Sequence, residues 1–303
     1  MVHRKGPPGH RPVVPPAPAT VDLHTHTNRS DGVLEPVALV EAAAAAGITT
    51  LSITDHDTLV ALPAARAAAE RAGVDLIPGL EINTIADDAD GFHEGELHVL
   101  GYGIDPGNAG LLAALDIQRQ QRRRRFWLMV HRLAELDRSI DNRIEKLPLD
   151  DDDALGRPTI ARALVANGYA TSVEDAFRTL LSRGRPAYVP RQGLGPRGAI
   201  EAIRGAGGLA VLAHFAEGPE RPGVVRDLMA LGLRGLEVYY RGFWTETVDT
   251  LVALARELRL VATGGSDYHG DHETYGQAQA ALWVPPEVAA GLHEALKDPS
   301  SPP

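Results

Sequence analysis

From Val21 onward, short runs of β-branched and apolar residues alternate with longer stretches whose apolar positions recur at helical spacing. The strand-like runs are Val21–His26, Thr50–Asp55, Leu76–Asn83 and Leu97–Gly103, with helices predicted from Pro36 to Ala46 and from Leu62 to Ala72. Pro36 suits a first helical position, and Gly47 and Gly73 suit the stops. Such βαβα order predicts a parallel sheet covered by helices, open or closed as a barrel. The rhythm breaks between Pro106 and Arg185, where the pattern is mainly helical. One long stretch runs from about Gly110 to Leu136, followed by a loop with the acidic run Asp150–Asp153, then Thr159–Asn167 and, behind a Ser172 cap, Val173–Ser182. The alternation then resumes, with helices at Pro196–Ala206, Val224–Leu231 and Glu246–Leu258 and strands at Leu209–His214, Gly235–Tyr240, Leu260–Thr263 and Ala278–Val284. Seven or eight strands result, with an inserted helical subdomain at 106–185 dividing a core of 20–105 and 186–297.

Residues 1–19 hold six Pro, three Lys or Arg and no acid, which predicts a disordered leader, and 298–303 read as a polar tail. No run is apolar for the length of a membrane span, and the leader does not resemble a secretion signal, so a cytoplasmic location is expected. With 40 acidic against 30 basic residues, the chain carries a net charge of −10, which argues against a large nucleic-acid surface. Cysteine is absent, so thiolate zinc sites and cysteine nucleophiles are excluded and any metal must be held by His, Asp and Glu.

Those residues concentrate at strand ends. In His24-Thr25-His26 the two-residue spacing puts both imidazoles on one side of a strand. Asp31 follows in the next loop, His56 ends the second strand, Glu81 lies in the third and His98 begins the fourth. His214 ends the strand after the insertion, and Asp267 and His269 follow the next-to-last strand. In parallel α/β folds the carboxyl ends of strands share one face, where sites are built. Nine convergent imidazoles and carboxylates would be costly to bury uncompensated, whereas two or three divalent cations resolve the cost. Imidazole and carboxylate together suit Mn²⁺, Zn²⁺ or Fe²⁺ better than Ca²⁺. Asp55 and Asp57, on either side of His56, are read as supporting or helix-capping groups, and Ser266 as structural. His93 and His272 fall in polar loops, His272 near enough to shuttle protons, while His3, His10, His131 and His293 have no evident partners.

The nine positions in this order resemble the PHP (polymerase and histidinol phosphatase) domain metallo-phosphoesterases, over about Val21 to Val284. The resemblance implies a distorted (β/α)7 barrel and a trinuclear centre, with Mn²⁺ the leading candidate. It implies that His24, His26, Glu81 and Asp267 hold one metal, Asp31, His56 and His269 a second, and Glu81, His98 and His214 a third. A hydroxide held between two cations would then attack phosphorus in line. Within the long helix, Arg119-Gln120-Gln121-Arg122-Arg123-Arg124-Arg125 reverses the local charge, and Arg122 and Arg125, at i and i+3, share a face. Gly156-Arg157-Pro158 opens the next helix and is similar to a Gly-Arg-Pro-His segment of the family's nucleotide phosphoesterases, with Thr159 where the His is usual. Arg157, Arg122 and Arg125 are thereby expected to bind substrate phosphate. Phe215 likewise stands where Ala-His-Pro is common. The expected substrate is a phosphorylated nucleotide or short oligonucleotide: a nucleoside 3′,5′-bisphosphate, or the 5′ end of a short RNA in an exoribonuclease reaction. The alternatives are a histidinol-phosphate phosphatase, disfavoured by the Gly-Arg-Pro insertion, and a non-catalytic metal-binding regulatory module, disfavoured by the intact set of nine.

Overall fold

The computed structural model describes residues 11–86, 95–144 and 155–299. His3, His10, His93, the acidic run Asp150–Asp153 and residues 300–303 lie outside them.

The strands divide into two sheets. The first is parallel and three-stranded: β1 (Val21–Asp22), β2 (Thr50–Leu51) and β3 (Asp75–Leu76), with Val21 opposite Thr50 and Thr50 opposite Asp75. The second is five-stranded, in the order β4 (Gly79–Ala86), β5 (Gly95–Tyr102), β6 (Leu209–Leu212), β7 (Gly235–Tyr240) and β8 (Val261–Gly265). β5 runs antiparallel to both neighbours, while β6, β7 and β8 are parallel.

Three expectations are corrected here. First, the run Leu76–Asn83 is not one strand. Ile77 still donates to Leu51 O (2.9 Å), but Pro78 has no N–H to continue that ladder, and the chain changes partner to β5. Second, the all-parallel order gives way at β5, which lets a residue early in that strand lie level with the carboxyl ends of its neighbours. Third, the sheets do not close into a barrel. They meet at two seams held by single bridges. At one, Leu23 N donates to Gly264 O (3.1 Å), Asp267 N donates to His24 O (2.8 Å), and Thr25 bridges Tyr268. At the other, His56 bridges Glu81, flanked by Glu81 N to Asp55 O (3.2 Å) and Asp57 N to Glu81 O (2.9 Å). The chain leaves regular pairing at these seams, and there it carries its polar side chains.

Helices α1 (Pro36–Ala45) and α2 (Leu62–Ala72) cover the first sheet, with Leu39, Ala43, Leu51, Ile53 and Ala65 in one apolar cluster. α2 stops at Gly73, whose φ of 68° only glycine adopts without strain. The insertion begins with α3 (Ala109–Glu135), started by Asn108 Oδ1 accepting from Leu111 N (3.0 Å), and continues with α4 (Asp141–Ile144), α5 (Arg157–Ala166) and α6 (Val173–Ala176). The expected Ser172 cap is present, accepting from Asp175 N at 3.1 Å, but the helix behind it passes into a π-helical turn at Phe177–Leu181. α3 serves two cores. Leu111 and Leu115 pack with Leu80, Ile203 and Leu212, whereas Phe126, Met129 and Leu133 pack with Ile140, Ile160 and Leu181 of the insertion. A fully buried leucine in either core contributes about 1.5–3 kcal/mol over an exposed one.

Beyond the insertion, α7 (Pro196–Gly205), α8 (Pro222–Leu231) and α9 (Thr245–Glu257) pack on the second sheet. The strand expected at Ala278–Val284 is instead α10 (Tyr275–Ala280) and the segment after it. A Thr274–Gln277 capping box starts the helix, and Leu282 and Val284 are buried beyond its end, which accounts for the apolar run. A last helix, α11 (Glu287–Lys297), follows. Residues 11–19, expected within a disordered leader, lie against the fold: Thr245 N donates to Arg11 O (3.0 Å), Pro12 bridges Trp244, and Ala19 O accepts from Gln279 (2.8 Å). Among the described residues no helix is long and apolar enough to cross a membrane.

Candidate metal centre

All nine predicted side chains meet at one place. His24 and His26 follow β1, with ring centroids 5.2 Å apart and no solvent exposure. Their Nε2 atoms lie 3.4 and 3.3 Å from Glu81 Oε2, and 3.4 and 3.1 Å from Asp267 Oδ1. A second group forms around Asp31, whose carboxylate lies 3.5 Å from His56 Nε2, 3.1 Å from His269 Nε2 and 3.8 Å from His26 Nδ1. In the third, Glu81 Oε1 is 2.8 Å from His98 Nδ1 and 3.3 Å from His214 Nε2. Glu81 therefore faces two groups with different oxygens, and His26 faces two with different nitrogens. His98 joins the cluster because antiparallel β5 brings its early residues level with the ends of β4 and β6.

The backbone is unusual here. Asp57 (φ 54°), His214 (φ 30°) and Asp267 (φ 50°) adopt left-handed conformations that favour glycine, a strain typical of functional sites. A Cβ on Gly265 would come within 2.4 Å of His24, so only glycine lets β8 pass that close.

The donor set fits divalent cations. His24 Nε2, both ring nitrogens of His26 and Glu81 Oε2 are buried without a hydrogen-bond partner among the described residues. Each such orphan costs about 1–3 kcal/mol. Three groups of ligand atoms, each within 4.8 Å of one another, converge: His26, Asp31, His56 and His269; His24, His26 and Glu81; Glu81, His98 and His214. Imidazole and carboxylate without sulfur is the chemistry of Mn²⁺, Fe²⁺ and Zn²⁺ sites, so the arrangement suits a multinuclear metal centre.

Electrostatics agree. Burial opposes ionisation of Asp31, Glu81 and Asp267, yet neighbouring imidazoles hold all three well below the usual carboxylate range: His56 and His269 for Asp31, His56 and His98 for Glu81, His24 and His269 for Asp267. The imidazoles divide. Burial lowers His56 to about 4 despite Asp31 and Glu81, while His269, opposed by burial, is pushed up to about 10 by Asp31 and Asp267. Protons and metal ions thus compete for the same lone pairs.

Several groups around the cluster were not anticipated. Glu237 on β7, fully buried, sits 2.9 Å from His24 Nδ1 and accepts from His214 N (2.7 Å). Tyr240 donates to Asp267 Oδ2 (3.0 Å), and buried Asp22 accepts from Ser266 Oγ (2.6 Å) and Tyr275 (2.7 Å). An acid inside an otherwise apolar strand, as in Val21-Asp22-Leu23 and Leu236-Glu237-Val238, was the available signal. Ser266 is structural, and Asp55 accepts from Thr27 Oγ1 (2.6 Å) and Ser30 (2.7 Å), a supporting role as expected.

The predicted arginines are placed differently from one another. Arg122 and Arg125 share the buried face of α3, and Arg124 points to solvent. Arg122 is bound by Asp57 Oδ2 through Nε (3.0 Å) and Nη2 (2.7 Å). A Cβ on Gly156 would lie 3.5 Å from both Arg122 Nη1 and Asp31 Oδ2, so the guanidinium flanks the rim of the cluster. Arg125 donates to Val189 O (2.8 Å) and lies over Tyr188. Arg157 lies over the Phe177 ring, 5.5 Å from its centroid. With its amide nitrogen turned toward His56, Asn83 would accept from Arg191 (2.9 and 3.1 Å) and Arg122 (2.6 Å), which makes Arg191 a further cation beside the cluster. His272 pairs with Glu174 (2.8 Å), His131 with Glu135 (3.4 Å) and His293 with Asp75 (2.6 Å). A cavity of about 290 Å³ adjoins the cluster, walled by Pro158, Val173 and Phe177 of the insertion and by Asp267, His269 and Arg241 opposite.

Comparison with known proteins agrees with this geometry. The PHP domain family model matches residues 22–172. The 5′-3′ exoribonuclease Rnm of Salmonella typhimurium is 36% identical, covering 88% of this chain and 90% of its own. The 3′,5′-nucleoside bisphosphate phosphatase of Chromobacterium violaceum is 33% identical, covering 84% and 89%. Among solved structures, a protein of Bifidobacterium adolescentis described as a metal-dependent phosphoesterase superposes with a TM-score of 0.80 at 32% identity, covering 91% of this chain and 96% of that one.

Proposed function

The chain belongs to the PHP domain family of phosphoesterases, and we propose that it hydrolyses phosphate esters of nucleotides, either nucleoside 3′,5′-bisphosphates or the 5′ ends of short RNA. The observation that carries this reading is the nine-residue cluster, with buried open valences, opening beside a cavity large enough for a nucleoside. His24, His26, Asp31, His56, Glu81, His98, His214, Asp267 and His269 would hold two or three divalent ions, with manganese the first candidate. Such ions supply a nucleophilic water at neutral pH and neutralise phosphoryl oxygens.

The chain's own residues do the rest. Residues 106–185 act as a cap over the core of 20–105 and 186–297, closing one wall of the cavity with Pro158, Val173 and Phe177. Arg122 sets positive charge at the rim, and Arg157, next to Pro158 and held over Phe177 of that wall, would bind a second phosphate. His24, His26, Asp31, His56 and Glu81 are buried, which strengthens the charges on that side of the cluster. A nucleotide substrate accords with the expected cytoplasmic location.

The test is to load the purified protein with Mn²⁺ and supply adenosine 3′,5′-bisphosphate, a 5′-phosphorylated short RNA and histidinol phosphate in parallel. Release of 3′-phosphate or of nucleotides stepwise from the 5′ end, absent in Asp267→Asn, supports the proposal. Turnover of histidinol phosphate alone, or metal binding without turnover, rejects it.

A further inference from the structure

β7 supplies none of the nine cluster residues, yet three of them rest on it. Glu237 takes His24 Nδ1 with one oxygen (2.9 Å) and the backbone N–H of His214 with the other (2.7 Å). Tyr240 donates its hydroxyl to Asp267 Oδ2 (3.0 Å), leaving Oδ1 toward His24 and His26. In a regular strand residues 237 and 240 would face opposite sides. The pairing with β8 slips between Glu237, opposite Thr263, and Tyr239, opposite Gly264, and this bulge turns both functional side chains to the cluster.

Resting on the reading that the cluster binds metal, we infer that β7 is the positioning strand of the centre, with Glu237 and Tyr240 orienting ligands from three other segments. Glu237 requires Nδ1 of His24 to carry the proton, which leaves Nε2 as a lone pair aimed at Glu81 and Asp267. It also stabilises the left-handed backbone of His214, and so couples a residue of the His24 group to one of the His98 group. A fully buried carboxylate this near Glu81 and Asp267 adds no apolar packing, and its two accepted N–H groups are the compensation for its burial. Gln at this position cannot satisfy both, because its amide nitrogen would face one of the two N–H donors.

The test titrates metal-free wild type, Glu237→Gln and Tyr240→Phe with Mn²⁺, reading bound ions per chain, dissociation constants and thermal unfolding of the metal-free forms. Glu237→Gln is expected to weaken metal binding about 10–100-fold, and Tyr240→Phe about three- to tenfold, with both metal-free forms still folded. Wild-type affinity and stoichiometry in the variants, with stability alone reduced, would assign β7 a purely structural role and overturn the inference. If Glu237→Gln does not fold, Tyr240→Phe decides by the same reading. Failure of the wild type to bind metal would instead overturn the functional reading, and this inference with it.

Discussion

Two sets of charged groups at the site behave in opposite ways. Among the strand-end residues, His24 Nε2, both ring nitrogens of His26 and Glu81 Oε2 are buried with no hydrogen-bond partner among the described residues. Along the insertion, Arg122 is bound by Asp57, Arg125 by Val189 O and the Tyr188 ring, and Arg157 lies on Phe177. The first set keeps its valences open for a ligand, and the second spends much of its charge on contacts within the protein. The Arg122–Asp57 pair is the clearest case, since Asp57 follows His56 directly and Arg122 sits midway along α3. A basic run in sequence therefore signals a joint between segments as readily as a substrate contact.

Asp267→Asn, which removes a charge facing His24 and His26, should abolish activity, with loss of bound metal when counted per chain. Nearly wild-type turnover would remove the strand-end set from the chemistry. Chelation should reduce hydrolysis to background and lower the melting temperature, both restored by Mn²⁺, because only the folded state assembles the ligands. Arg122→Ala should destabilise by about 3 kcal/mol in denaturant unfolding, since it strands the buried Asp57 carboxylate. A large drop in kcat/KM without that stability loss would move Arg122 from joint to substrate contact. The smallest effect is expected at Arg157→Ala, a several-fold rise in KM for phosphorylated substrates with kcat and stability little changed. An unaltered KM would confine Arg157 to its stacking on Phe177.

Legibility followed the range of the interactions. His24-x-His26 and the strand-end positions of His56 and His214 were readable because a two-residue period and a strand's carboxyl end are local properties. The insertion helices were readable as well, the long one to within a residue at either end. Glu237 and Tyr240 were not, because their role depends on a bulge in the pairing of β7 with β8. Pro78 and the Thr274–Gln277 capping box were visible as residues, but the apolar runs beside them masked what they signalled.

The sequence supplied the candidate ligands, the alternation of strands and helices, the mainly helical stretch after Pro106 and, by exclusion of cysteine, a nitrogen and oxygen chemistry for any metal. Tertiary structure alone decided that β5 runs backwards and brings His98 into the site, that the sheets stop short of a closed barrel, and that Arg122 meets Asp57. The first set follows from periodicities and donor atoms a few residues apart. The second depends on contacts between segments far apart in the chain, where burial and unpaired polar groups, rather than local spacing, select the partner.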